Sequence, residues 1–150
     1  MEFCCEYVGN FQLYEIMSIV YERKGENSIM NIKKIKVSDT EIALVNSDEV
    51  CISDGQTALD FMMSVNYETG CHSIVINKAA VVEEFFVLST GVAGEILQKF
   101  INYHFRLAII GDFSGYTSKP LKDFIYESNK GKDIFFVSSE QDAIEKLGRV

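Results

Sequence analysis

Three groups of residues have the types and spacing to do chemistry. Ser89-Thr90-Gly91 presents two hydroxyls ahead of a glycine. At the start of a helix, backbone N–H groups with such hydroxyls can hold an anion, or a hydroxyl can accept a phosphoryl group. The same residues also suit an N-cap, whose side-chain oxygen takes an orphan N–H. A second group gathers Asn77, Lys78, Asp112 and Ser114 near expected strand ends, with Glu83 and Glu84 in the loop between. Lys78, Glu83, Glu84 and Asp112 are the types an acid–base set needs. Carboxylates at strand ends otherwise serve as solvated or capping groups. The third is Cys71-His72. Adjacent side chains diverge in a strand or turn, so thiol and imidazole do not converge as nucleophile and base. Glu95 and Lys99 stand at i and i+4, with Asn102 three further on, and fit a solvated ion pair on a helix.

Several signatures are absent. Gly111-Asp112-Phe113-Ser114-Gly115 puts its serine one place late for a G-x-S-x-G elbow. Gly91-Val92-Ala93-Gly94 is neither a P-loop nor a dinucleotide-binding turn. The cysteines, Cys4, Cys5, Cys51 and Cys71, form no C-x-x-C pair and lack zinc spacing. No metal and no cofactor is expected, and the cysteines fit free thiols in a reducing cytoplasm.

The elements that must position these groups are those of one α/β domain. The 150 residues, 47% hydrophobic and 24% charged, suit a single core that hides about two-thirds of the unfolded chain's surface. A net charge of -8, with no basic run longer than Lys33-Lys34, argues against nucleic-acid or anionic-membrane partners. No stretch reaches the roughly 18 apolar residues of a span. The first residues carry Glu2, Glu6 and Glu15 in place of a basic n-region.

Residues 1–29 are apolar almost all round between Phe11 and Tyr21 and fit a short helix or a strand. From Asn31 the pattern is orderly. Ile32, Ile35 and Val37 mark a strand, Ser38-Asp39-Thr40 a turn, and Ile42, Leu44 and Val45 its partner. Ser53 or Asp54 caps a helix through Ala58, Leu59, Met62, Met63 and Val65, which Gly70 ends. Ile74-Val75-Ile76 is a strand buried on both faces. Ser89 or Thr90 opens a helix with Val92, Ile96, Leu97, Phe100 and Ile101 on one stripe. Leu107–Ile110 is the next strand, Pro120 starts a third helix that Gly131 stops, and Ile134–Val137 is the last strand. Ser139 caps a final helix through Ala143, Ile144 and Leu147. The order is ββαβαβαβα: a mostly parallel sheet with helices packed on it. Ligands of such sheets bind beyond the strands' carboxyl ends, here Asn77-Lys78, Gly111–Ser114 and Ser138-Ser139.

Two resemblances follow. Glu84–Phe100, Arg106–Phe113 and Leu121–Phe124 resemble successive blocks of bacterial domain-of-unknown-function family 4180, over about Met30 to Leu147. That resemblance implies a small cytoplasmic bacterial domain without an assigned activity. The element order also resembles the STAS fold, the sulfate transporter and anti-sigma antagonist domain. There a D-S-S-G-L-G motif opens the helix after the third strand, and its second serine is phosphorylated by a partner kinase. Leu88-Ser89-Thr90-Gly91-Val92-Ala93 occupies that place, with Thr90 as phosphoacceptor, Leu88 replacing the acidic residue and Ala93 the second glycine.

The resemblance implies a non-catalytic STAS-like regulatory or interaction domain with a protein partner. The alternatives are a small hydrolase-like enzyme and a small-ligand sensor, with Asn77, Lys78, Glu84, Asp112 and Ser114 around a strand-end pocket. Lys24-Gly25-Glu26, encodable as AAA-GGA-GAA, contains a ribosome-binding sequence three codons before Met30. Residues 1–29 are accordingly expected to be an N-terminal extension translated as a dispensable leader, and 30–150 the domain.

Overall fold

The computed structural model describes residues 3–6, 14–25, 28–37 and 39–148. Its strands are β1 (Phe3–Glu6), β2 (Tyr14–Gly25), β3 (Ser28–Val37), β4 (Thr40–Ser47), β5 (Ser73–Asn77), β6 (Arg106–Ile110) and β7 (Ile134–Val137). The helices are α1 (Gly55–Thr69), α2 (Val92–Asn102), α3 (Lys119–Lys130) and α4 (Glu140–Gly148). All seven strands form one sheet in chain order. The first three pairings are antiparallel and the last three parallel. From β3 onward this is the expected mixed α/β arrangement, five strands mostly parallel with four helices. Of the segment expected to be a leader, 3–6 and 14–25 are strands at one edge, and Phe11 and Leu13 lie outside the described residues.

Strictly sequential parallel strands joined by right-handed crossovers must carry their connecting helices on one face. The side chains sort accordingly, with the period of two that a pleated strand imposes. Ile74, Ile76, Leu107, Ile109, Ile134 and Phe136 pack with Met62 of α1, Phe100 of α2 and Leu121 of α3. Their neighbours Val75, Ala108, Phe135 and Val137 point the other way, onto Ala143, Ile144 and Leu147 of α4. Arg106 fixes that lone helix by donating from its guanidinium to the Leu147 carbonyl at 2.7 Å.

Local signals explain most boundaries. Asp54 accepts from the Thr57 N–H at 2.8 Å and opens α1, and Gly70 ends it at φ 74°. Ser118 and Pro120 start α3. Two expected stripe residues are exposed: Met63 on α1 and Ile101 on α2. The buried stripe of α2 is Ala93, Ile96, Leu97 and Phe100, so Ile101 falls just past its edge. The segment read as a loop after β5 is wound into three 3₁₀ turns, Lys78–Ala80, Glu83–Phe86 and Leu88–Thr90. Neither Ser89 nor Thr90 is the N-cap of α2. Their own turn closes first, and Gly91, at φ 78°, is the N-cap. Only glycine takes that left-handed conformation without strain.

Candidate functional site

The 3₁₀ turns after β5 and the loop after β6 meet over the carboxyl ends of the parallel strands. Lys78 leaves β5 directly beneath Gly111, where an added Cβ would lie 2.7 Å from the Lys78 Cβ. A glycine there lets the lysine stem pass. The ammonium then lies 4.6 Å from the Tyr116 ring centroid and 5.4 Å from that of Phe86, within cation–π range. Those two rings stack at 5.2 Å. The Tyr116 hydroxyl donates to Glu83 Oε1 at 2.8 Å.

The Tyr116 oxygen beside the ammonium is the largest influence raising the Lys78 pKa, partly opposed by burial and reinforced by the charges of Glu83 and Asp112. Burial is the main cause that raises the Tyr116 pKa. Lys78, Tyr116 and Glu83 thus form a cation–phenol–carboxylate chain that fastens one loop to the other.

Asp112 closes an Asx-type turn. Its Oδ1 accepts from the Ser114 hydroxyl at 2.6 Å and from the Ser114 N–H at 3.0 Å. Those two bonds, the hydroxyl's first, hold the carboxyl below its ordinary range. Asn77 serves the sheet. Its amide accepts from the Ser47 N–H at 2.9 Å and donates to the Ser47 carbonyl at 2.7 Å, as a neighbouring peptide group would.

Thr90 is exposed yet held. Its hydroxyl lies 2.8 Å from the Val87 carbonyl and 3.0 Å from that of Glu84, and accepts from the Val92 N–H at 3.3 Å. Glu84 therefore meets the candidate phosphoacceptor through its backbone. Ser89 and Gly91 are exposed beside it.

A family model for a domain of unknown function, DUF4180, matches residues 37–147. The chain belongs to the DUF4180 family. Neither a curated protein nor a solved structure matches it.

In this DUF4180 domain the expected site residues divide into three places. Lys78 and Asp112 come together, Ser89, Thr90 and Gly91 form the turn before α2, and Asn77 is spent on the sheet. A cavity that Asp112 borders is lined by Val137, Ser138 and residues of α4, and neither Lys78 nor Thr90 lines it. Cys71 is buried, which raises its pKa, while His72 is exposed and its ring lies tilted against Phe105, with centroids 4.9 Å apart. Both His72 and His104 precede strands, so they sit at the amino ends. One five-residue strand, about 16 Å of extended chain, separates that end from the site.

Glu95 does not follow the helix-pair expectation. Its carboxylate accepts from the Gly55 N–H at 3.1 Å, at the start of α1. Sequence reasoning missed Tyr116, Phe86 and Phe113. The one signal was a pair of aromatics, Phe113 and Tyr116, inside an otherwise polar loop after a strand.

Proposed function

We propose that this DUF4180 domain is a non-catalytic, STAS-like regulatory or interaction module of the bacterial cytoplasm, built by residues 30–150. Its protein partner docks on the turn before α2, and phosphorylation of Thr90 controls the docking. The observation that carries this reading is the composition of that turn. Val87 is 50% exposed, Ser89, Thr90 and Gly91 are exposed, and Gly91 brings no side-chain cap to α2. A phosphate on Thr90 would gain the unfilled N–H groups and the positive end of the helix. It would lose the hydroxyl's donation to a carbonyl, so the turn would loosen as the charge arrived.

The strand-end polar groups support the same reading by being used up. Lys78 and Glu83 share Tyr116, Asp112 is bonded to Ser114, and both histidines lie at the other end of the strands. A hydrolase-like mechanism would need a competent general base within hydrogen-bond reach of a nucleophile, and the Asp112 carboxylate that accepts from the Ser114 hydroxyl at 2.6 Å is held below its ordinary range, which makes it a weak base.

The test is mass spectrometry of the endogenous protein with and without phosphatase. The expected result is a fraction one phosphoryl group heavier, with fragment ions assigning it to Thr90. If the fraction is absent under every growth condition, or the phosphate lies elsewhere, Thr90 acts only as a turn residue.

A further inference from the structure

Among the described residues β7 ends the sheet, with β6 as its one neighbour. Its sequence is Ile134-Phe135-Phe136-Val137, apolar throughout and buried at every position. Ile134 and Phe136 face the three-helix side, and Phe135 and Val137 face α4. Both faces of the strand are therefore covered, and what remains is its outer edge. Short aromatic and β-branched runs without proline are the kind that pair with copies of themselves when such an edge is bare.

The ladder shows which groups lie on that edge. The Leu107 N–H donates to the Asp133 carbonyl at 2.8 Å, and the Gly111 N–H to the Val137 carbonyl at 2.9 Å. Backbone groups alternate in direction along a strand. Asp133, Phe135 and Val137 thus turn theirs toward β6, while Ile134 and Phe136 turn theirs outward. An incoming strand would have these two residues of β7 to bond.

One of the two is taken. Asn129, in the last turn of α3, accepts from the Phe136 N–H at 2.7 Å through Oδ1 and donates to the Phe136 carbonyl at 3.1 Å through Nδ2. A carboxamide carries a donor and an acceptor side by side, as a peptide group does. Asn129 makes the bonds that one residue of an added strand would make. Its place is fixed by the short return into β7. Only residues 131–133 separate α3 from β7, and the Arg106 Nε donates to the Lys132 carbonyl at 2.8 Å in the middle of them.

We propose that Asn129 guards the β7 edge: by occupying both outward backbone groups of Phe136, it prevents a second copy of this chain from adding a strand there. The guard does not involve Thr90, so its failure leaves the regulatory reading standing.

The experiment is sedimentation velocity of the full chain over a concentration series, with amide hydrogen exchange read by NMR. In wild type the Phe136 amide is expected to exchange slowly, although it faces away from β6. Alanine favours a helix, so Asn129→Ala keeps α3. It should speed Phe136 exchange about tenfold or more in dilute samples, as the loss of a hydrogen bond does. It should also associate at concentrations where wild type shows no such change, with the 134–136 amides protected again in the associated species. Asn129→Lys loses the same two bonds and puts at the edge a charge of the kind that repels an added strand. It should speed Phe136 exchange equally and associate less than Asn129→Ala. Four results would each overturn the proposal: a Phe136 amide that exchanges freely in wild type, identical sedimentation of Asn129→Ala and wild type, association that leaves 134–136 unprotected, or association of Asn129→Lys as strong as that of Asn129→Ala.

Discussion

α1 and α2 lie side by side on the sheet and begin in opposite ways. The start of α1 is closed. Asp54 and Thr57 bond reciprocally to each other's backbone N–H, at 2.8 and 2.9 Å, in a capping box. Glu95 of α2 then reaches over to accept from the Gly55 N–H. An added Cβ at Gly55 would lie 2.8 Å from that carboxylate, so the glycine is what admits it. The start of α2 is open. Gly91 supplies no side chain, and the Thr90 hydroxyl takes one N–H at a long 3.3 Å. Both helices face the same problem of orphan N–H groups. One solves it with carboxylates from within the chain, and the other leaves room for a negative charge to arrive.

The comparison can be broken at several points. It requires first that α2 be anchored as firmly as α1, so that its open start is a property of the turn and not of a loose helix. Phe100 is 0% exposed on α2. Phe100→Ala should cost about 3–5 kcal/mol in urea unfolding. A loss under about 1 kcal/mol would show that α2 is weakly held, and the contrast would lose its meaning.

The caps come next. Asp54→Ala should lower the unfolding midpoint by more than Thr90→Ala does, because a charged capping box is lost against a neutral hydroxyl's donation to a turn carbonyl and one long bond from the Val92 N–H. Thr90→Ala should cost about 0.5–1.5 kcal/mol, the net worth of one ordinary hydrogen bond. The reverse order would make Thr90 the more important cap. The pH dependence sharpens the same point. The Thr57 backbone N–H, chiefly, and its hydroxyl lower the Asp54 pKa. A carboxylate with a depressed folded-state pKa stabilises above the unfolded value and loses that contribution as pH falls through the folded one. The difference between wild type and Asp54→Ala should therefore shrink on acidification below the ordinary carboxylate range. A difference that stays constant there would show that the carboxylate's charge is not what caps α1.

The smallest effect concerns the strand-end loop. Ser114→Ala should move the Asp112 carboxyl back up toward its ordinary range, read by carboxyl NMR titration, with little change in stability. No movement would remove Ser114 as the cause.

The sequence was most informative where one segment decides its own structure. The β-branched run Ile74–Ile76 and the continuous apolar run Leu107–Ile110 marked strands, and Asp54, Gly70 and Pro120 marked helix ends, because propensity and capping act within a few residues. It was least informative where distant segments meet. Glu95 lies 40 residues from Gly55 and Tyr116 33 from Glu83, and no local pattern announces either bond. A helical stripe also says which side chains share a face without saying where that face ends, so Ile101 and Met63 read as core and are exposed. Of the candidate site, the residue types and their strand-end placement were legible. The use of Asn77 by Ser47 and of Lys78 by Tyr116 was not, since both depend on which loops the sheet brings together.

The central claim is that the open start of α2 is a docking surface switched by charge at Thr90. Its most direct test immobilises wild type, Thr90→Ala and Thr90→Glu as full chains and captures partners from native-cell lysate, with quantitative mass spectrometry as the readout. All three baits are first matched for folding by unfolding midpoint. The account predicts a partner retained equally by wild type and Thr90→Ala and depleted on Thr90→Glu, because a partner burying that turn must desolvate a charge for which it has no counter-ion. Equal capture on all three baits, by proteins that bind folded chains regardless of residue 90, would contradict it.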